Sequence, residues 1–232
     1  MQTRATTPRR AKTKRQHQQS KSSSDRRSNQ LIQFIRKSMV AIWHSEVWRS
    51  LQFCFRRPSY TSKVFCIGFN KTGTTSLGEA LKELGYLHST YTDKTWLDYY
   101  QNNKIVKLLE HTAKLDSVDD LPWLKEDMIP ILDKVFPQSK FIYLERDEAS
   151  WKRSIYHWSY QRTGQYPDVE QKLREFRAHR MFVMDYFRDR PNDQFIVLNI
   201  ADPEGFEKLG KFLGKPTPRK AFRHHNATVI QR

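Results

Sequence analysis

Apolar residues occur in short runs or at helical spacing through most of the chain beyond residue 58. The run Val64–Ile67, bounded by Lys63 and Gly68, predicts a buried parallel strand because it is short and contains β-branched residues. Four apolar residues then lie at helical spacing, Leu77, Ala80, Leu81 and Leu84. Gly85 follows them and is typical of a helix end. The pattern therefore predicts a strand, a tight turn and a helix in succession.

The same alternation continues along the chain. Residues 140–145 and 194–200 predict two further strands, and residues 87–92 predict a short one. Helices are predicted over residues 95–115, 129–136, 148–158, 169–188 and 203–213, and residues 116–123 are predicted to be an acidic loop. Strands that alternate with helices predict an α/β fold, a parallel sheet flanked by helices with a ligand site outside the carboxyl ends of the strands.

The first part of the chain has a different pattern. Residues 1–30 are polar and basic, with Asp25 as their one acid, and predict a disordered tail. Residues 31–57 have apolar side chains on one helical face and predict a basic amphipathic helix, so the globular domain is expected over residues 58–232. The first 62 residues hold 14 Lys and Arg against two Asp and Glu, a net +12, so the rest carries only +4 of the total of +16. The basic charge thus belongs to an extension, and no nucleic-acid partner is expected.

Two interpretations of the amphipathic helix are open. It lies in a membrane interface, as a membrane-associated segment would, or it packs on the domain or on a partner. Its charged residues interrupt any membrane span. The tail is a solvated basic segment, an organelle transit segment or a flank that adheres to anionic lipid. Cys54 and Cys66 lack metal-ligand spacing and form no disulfide framework, which fits a reducing compartment. We expect a cytoplasmic location, with peripheral membrane contact and organelle targeting both open.

The segment between the first predicted strand and helix reads GFNKTGTTS, from Gly68 to Ser76. In such a turn the backbone N–H groups and the helix terminus face one point and bind phosphate. The spacing of its two glycines matches a nucleoside-triphosphate P-loop, which has Lys and then Ser or Thr directly after the second glycine. Here Thr74 and Thr75 follow Gly73, and the lysine lies inside the loop as Lys71.

A second polar motif follows the strand at residues 140–145. Arg146 comes directly after it, and Ser154 follows eight residues later in the predicted helix. An arginine offers a planar fork to phosphate oxygens, and a hydroxyl on the following helix adds a further donor.

The segment GFNKTGTTSL resembles the 5′-phosphosulfate-binding loop of the sulfotransferases that use 3′-phosphoadenylyl sulfate (PAPS). The Arg146…Ser154 pair is similar to their 3′-phosphate motif, and FLGKPTPRKAFRHHN more weakly resembles their carboxyl-terminal segment, so the resemblance spans residues 63–226. It implies a three-layer, P-loop-like sulfotransferase fold. It also implies a nucleotide-binding transferase that moves a sulfuryl group from PAPS to a hydroxyl or amine of an unidentified acceptor.

The resemblance also implies roles for individual residues. Lys71 would be catalytic and would contact the bridging and sulfuryl oxygens of the donor. Arg146 and Ser154 would hold the 3′-phosphate of the nucleotide. The 5′-phosphate would be held by four loop residues, Thr72, Gly73, Thr74 and Thr75.

Two residues are candidates for the base that takes the acceptor proton. Asp120 matches the aspartate of an Asp-x-Pro-Trp loop found in this family and is the first candidate, although it would equally well shape a turn. His88 is the second, and a lone histidine is more often structural. No metal is expected, because Lys71 and the loop supply positive charge. A nucleotide kinase or NTPase with a degenerate P-loop, and an inactive nucleotide-binding relative, are the alternatives.

Overall fold

The computed structural model describes residues 46–216 and 221–222. Its strands are β1 (Val64–Cys66), β2 (His88–Ser89), β3 (Ser117–Asp119), β4 (Lys140–Leu144) and β5 (Phe195–Leu198). Its α-helices are α1 (Glu46–Phe55), α2 (Thr74–Glu83), α3 (Ile105–Ala113), α4 (Met128–Val135), α5 (Glu148–Thr163), α6 (Val169–Tyr186) and α7 (Gly205–Leu213). A π-helix, Lys94–Gln101, lies between β2 and α3.

The five strands form one parallel sheet in the order β2-β3-β1-β4-β5. The central strand is β1, where Phe65 pairs with Val118 of β3 on one side and with Phe141 of β4 on the other. All the carboxyl ends therefore reach the same edge of the sheet, and the predicted parallel α/β fold is confirmed.

Side chains of the central strand alternate between the two faces of the sheet, and helices cover both faces there. Phe65 and Ile67 of the first strand segment belong to a core cluster that contains residues of α3, α4 and α6. Val64 and Cys66 point to a second cluster, which contains residues of α2 and α7. Cys66 is fully buried, as predicted, and burial raises the pKa of its thiol.

The sequence prediction was wrong at β3, which lies in the segment predicted to be an acidic loop. The three residues of β3 are all buried, and the strand pairs with β1 and with β2. Only Val118 is apolar, so there is no hydrophobic run to indicate a strand. Its burial depends on neighbours that are distant in the sequence.

Three other elements differ from their predicted bounds. The helix predicted over residues 95–115 is divided into the π-helix and α3, with Asn103 in a left-handed conformation between them (φ 54°). The second strand has only two residues. Helix α5 continues beyond its predicted end at residue 158 to Thr163, and it ends at Gly164, whose φ is 71°. That left-handed conformation is typical of a glycine at a helix end.

The chain divides into two units, Met1–Leu51 and Gln52–Arg232, and only residues 46–51 of the first are described. The predicted tail and most of the predicted amphipathic helix lie outside the described residues, and the last part of that helix is α1. None of the helices in the described part of the chain has the length and apolar character that a membrane span requires.

Candidate active site

The loop from Gly68 to Gly73 joins the central strand β1 to the first turn of α2. A Cβ atom at Gly68 would lie 2.8 Å from Cβ of Leu144, so only glycine fits against β4 there. Gly73 precedes the helix with a φ of 112°, which favours glycine, and a Cβ there would lie 2.6 Å from Cγ1 of Ile200. The spacing of the two glycines thus reflects close approaches to the neighbouring strand β4 and to the segment after β5.

This loop presents hydrogen-bond donors at the carboxyl edge of the sheet. The first N–H groups of a helix have no partner within it, and they form the positive end of its dipole. Thr74 and Thr75 supply those groups at the start of α2. The hydroxyl of Thr72 donates to the carbonyl of Phe69 at 2.6 Å, which closes the loop into a tight turn. The arrangement suits an anion.

Arg146 lies directly after β4 and contacts this loop. Its guanidinium donates through one terminal nitrogen to the carbonyl of Lys71 at 2.7 Å, and through Nε to the hydroxyl of Ser150 at 2.8 Å. Burial lowers the pKa of Arg146, with a raising effect of Asp147 and a lowering effect of Arg153. Ser154 is buried on the same helix, α5, one turn beyond Ser150. The structure therefore joins the two sequence motifs through a direct hydrogen bond.

Two buried side chains also hold the loop and the residue before it. The indole N–H of Trp151 donates to the carbonyl of Asn70 at 2.8 Å, and Nε2 of His179 lies 2.7 Å from the carbonyl of Ile67. Burial lowers the pKa of His179, so the neutral ring donates there. Neither of these roles was predicted from the sequence. Trp151 and His179 lie on α5 and α6, and helical spacing indicates only that such residues are buried.

The side chain of Lys71 is half-buried at this edge. Its amine lies 5.5 Å from the ring centroid of Trp158, and the guanidinium of Arg162 lies 5.4 Å from the same centroid, as cation–π contacts. Burial lowers the pKa of Lys71, Arg146 lowers it further and Asp120 raises it. Nothing in the sequence placed Trp158 beside Lys71, because the pair lies on separate elements.

Asp120 follows β3 immediately, and β3 is the neighbour of β1, so Asp120 reaches the edge of the sheet where the loop lies. Its φ is 64°, and its Oδ1 accepts a hydrogen bond from the N–H of Leu121 at 2.7 Å. Burial raises the pKa of its carboxyl group, the N–H of Leu121 lowers it, Asp119 raises it and Lys71 lowers it. The carboxylate and the lysine amine therefore influence each other.

His88 lies in a different environment, between the sheet and α2. It is 5% exposed, with Nδ1 2.9 Å from the hydroxyl of Ser117 and Nε2 3.5 Å from Oδ2 of Asp119. A Cβ atom at Gly78 would lie 2.7 Å from Nε2, so the helix backbone passes directly over the ring. His88 is thus part of a buried polar cluster with Ser117 and Asp119.

A cavity of about 760 Å³ opens beside the loop. Phe69, Asn70 and Trp158 line it on the loop side, and Trp96 and Tyr100 of the π-helix line it elsewhere. Within the described ranges, no group of three or more His, Cys, Asp and Glu side chains is placed to hold a metal ion.

Comparison with known proteins identifies the family. The profile described as a sulfotransferase domain matches residues 63–166 and 155–229, and the chain belongs to this family. The predicted resemblance is confirmed, and membership supports a sulfotransferase activity in general terms. No curated protein matches the chain.

Among solved structures, a sulfotransferase from Alicyclobacillus acidocaldarius has a TM-score of 0.50 at 14% identity, with coverage of 69% of this chain and 83% of that one. It shares the fold. A sulfotransferase from Mycobacterium avium has a TM-score of 0.47 at 10% identity, covering 75% of this chain and 68% of that one. A gluconokinase from Sinorhizobium meliloti 1021 has a TM-score of 0.44 at 16% identity, covering 67% of this chain and 93% of that one.

Proposed function

We propose that the protein transfers a sulfuryl group from PAPS to a hydroxyl or amine of an acceptor. One observation carries the proposal: Arg146 donates a hydrogen bond to the carbonyl of Lys71 at 2.7 Å. The motif that resembles a 3′-phosphate site and the motif that resembles a 5′-phosphosulfate site therefore form one unit. A nucleotide with phosphates at both positions is the ligand that such a unit suits.

The residues present fit this donor because they offer hydrogen-bond donors and positive charge. The N–H groups and hydroxyls that would hold the 5′-phosphate belong to the loop and the first turn of α2, at Gly73, Thr74 and Thr75. Thr72 would join them only by releasing a donor, because its N–H and its hydroxyl both donate to the carbonyl of Phe69. Arg146 has five N–H donors and uses two of them within the protein, so three are left for the 3′-phosphate. Ser154 would add a hydroxyl to the same phosphate.

The bound donor supplies the sulfuryl group: the acceptor oxygen forms a bond to sulfur while the bond from sulfur to the bridging phosphate oxygen breaks, and its electron pair stays on the phosphate. Such a loose transition state depends on positioning and on charge stabilisation, by analogy with phosphoryl transfer. Lys71 supplies positive charge from the loop, where the negative charge on the leaving phosphate grows.

Asp120 is the proposed base. Its Oδ1 accepts from Leu121, which leaves Oδ2 to take the acceptor proton. Because burial raises the pKa of this carboxyl group, Asp120 is a stronger base than an ordinary aspartate. We prefer it to His88, whose ring nitrogens lie near Ser117 and Asp119 in a site that is 5% exposed.

Calorimetric titration of the full chain with adenosine 3′,5′-bisphosphate and with ADP, each with and without magnesium, tests the proposal. We expect tight binding of the bisphosphate without magnesium, weakened by about 10- to 100-fold in Arg146→Ala. Arg174→Ala, which removes an exposed arginine of α6, should retain it. Preference for ADP that appears only with magnesium would overturn it in favour of a kinase or NTPase. Tight bisphosphate binding without transfer to any acceptor would indicate an inactive relative.

A further inference from the structure

The cavity beside the loop is lined in part by neighbours of the groups that would perform the reaction. Its volume, about 760 Å³, lies in the range of small-molecule sites. Asn70 of the loop and Trp158 line it, and the ring of Trp158 lies 5.5 Å from the amine of Lys71. Leu121 lines it as well and directly follows Asp120. The cavity wall therefore contains a contact partner of Lys71 and the chain neighbour of Asp120.

An aromatic surface, formed by a stacked pair of rings, is part of the wall of this cavity. Trp96 and Tyr100 lie four residues apart on the π-helix, and their rings stack with a centroid distance of 5.0 Å and an interplanar angle of 14°. The hydroxyl of Tyr100 donates to the carboxylate of Asp127, 2.9 and 2.8 Å from its two oxygens. This hydrogen bond holds the ring in place, so the surface is formed before any ligand binds. The aromatic ring of a ligand packs favourably on such a surface, in an offset-stacked or edge-to-face contact.

The charged side chains of the lining give no excess of positive charge. Lys172 is paired with Glu175 at 2.8 Å, and Asp127 accepts from Tyr100. The remaining charges of the lining, Lys125 and Glu126, are of opposite sign. The lining thus holds two lysines against three carboxylates, a net charge of −1, which disfavours an anionic acceptor. The rest of the lining is largely apolar, with Phe69, Leu121, Leu124 and Ile155 among its members.

We infer that the acceptor is an uncharged phenol, and this inference rests on the proposed function. Its ring packs on the surface formed by Trp96 and Tyr100, and its hydroxyl points to Lys71 and Asp120. In the transfer the phenol gives its proton to Asp120 and its oxygen bonds to sulfur, while the bond from sulfur to the phosphate breaks and leaves its electron pair on the phosphate. A phenol, with a pKa of about 10, gives its proton to a carboxylate far more readily than an alkyl alcohol does.

The test uses the full chain, PAPS and three probes: 2-naphthol, n-hexanol and methyl β-glucoside. We expect kcat/KM for 2-naphthol to exceed the value for each of the other two by at least about tenfold, as the combined effect of stacking and acidity. Trp96→Ala is expected to raise the KM for 2-naphthol by about tenfold and to leave bisphosphate affinity unchanged. Leu97→Ala is the matched control, because Leu97 lies on the same π-helix and its side chain is 44% exposed.

Binding of 2-naphthol to the protein saturated with adenosine 3′,5′-bisphosphate, followed by tryptophan fluorescence, gives a readout that does not need turnover. Binding that is weakened in Trp96→Ala but not in Leu97→Ala would support the inference. Absence of binding, or preferred transfer to n-hexanol or the glucoside, would overturn it while the proposed function stands. Failure to bind the bisphosphate would instead contradict the proposed function itself.

Discussion

Lys71 and Asp120 share an unusual backbone conformation at the same edge of the sheet. Both are left-handed, with φ values of 68° and 64°, and they follow the neighbouring strands β1 and β3. The carboxylate raises the pKa of the lysine, and the ammonium lowers the pKa of the carboxyl group. Left-handed backbone costs a residue other than glycine about 1–2 kcal/mol. Such conformations cluster at functional sites, where the surrounding structure holds them.

The first prediction concerns this backbone conformation. At position 71, Gly should give a free energy of unfolding about 1 kcal/mol higher than Ala, because glycine adopts a positive φ without strain. Lys71→Gly and Lys71→Ala both remove the charge, so their difference isolates the backbone. Urea unfolding of the two variants measures it. If the alanine variant is as stable as the glycine variant, Lys71 does not have to adopt the left-handed conformation.

The second prediction concerns the charge of Lys71. Activity needs the ammonium form, and burial and Arg146 lower the pKa of this amine below its ordinary value. Activity should therefore fall with rising pH at a lower pH than for an ordinary lysine. Lys71→Arg should keep some activity and lose this alkaline decline, because arginine stays charged. Lys71→Met should lower kcat by about 100- to 1,000-fold, the usual cost of losing one stabilising group in the transition state.

The pH profile of kcat/KM checks this prediction against Lys107→Arg, which alters an exposed lysine of α3 and should leave the profile unchanged. An alkaline decline that persists in Lys71→Arg would assign the decline to another group.

The third prediction concerns Asp120 as the base. Asp120→Asn should lower kcat by about 100- to 10,000-fold, the range of general acid–base catalysis, with bisphosphate affinity retained. Because burial raises the pKa of the carboxyl group and the reaction needs the carboxylate, activity should fall on the acid side at a higher pH than for an ordinary aspartate. Asp98→Asn, at an exposed residue of the π-helix, is the control.

The same substitution should move the alkaline decline. Asp120 raises the pKa of Lys71, so its neutralisation should shift the loss of activity at high pH to a lower pH. If Asp120→Asn leaves both limbs of the profile in place, the aspartate is not coupled to the reaction.

The fourth prediction concerns selectivity for the 3′-phosphate. Arg146→Ala should lower the affinity for adenosine 3′,5′-bisphosphate by about 10- to 100-fold, the cost of losing a hydrogen bond to a charged group. The affinity for 5′-AMP should fall much less. Ser154→Ala should act in the same direction with a smaller effect. Competition titrations give the ratio of the two affinities. An equal loss for both nucleotides would mean that Arg146 acts only through its bond to Lys71.

The parts of the fold that the sequence predicted are those with strong local signals. The apolar runs of β1 and β4 and the glycines of the loop each indicate their structure without help from distant residues. Strand β3 has no such signal, because Ser117 and Asp119 are polar and become buried only between β1 and β2. The position of Asp120 beside the loop depends on that strand. In the sequence, only the Asp-x-Pro-Trp motif indicated that Asp120 belongs to the site.

The surroundings of the site also depend on contacts between elements. Trp96, Trp158 and His179 lie on three different helices, and each has the helical spacing of an ordinary buried residue. Only the packing of those helices brings Trp158 to Lys71 and His179 to the carbonyl of Ile67. The roles of the individual site residues stay predictions, which the variants above test.

The last prediction concerns the buried cluster beneath α2. Gly-to-Ala substitution inside a helix usually stabilises a protein by about 1 kcal/mol. At Gly78 the added Cβ would lie 2.7 Å from Nε2 of His88, in a ring that is held by Ser117, so Gly78→Ala should instead lower the free energy of unfolding by about 1–3 kcal/mol. His88→Ala removes the obstacle, and in that background the same substitution should be neutral or stabilising. Urea unfolding of the wild type, the two single variants and the double variant completes this double-mutant cycle. If Gly78→Ala stabilises the wild-type protein, the helix has room to move away from His88, and the cluster does not fix the position of α2 against the sheet.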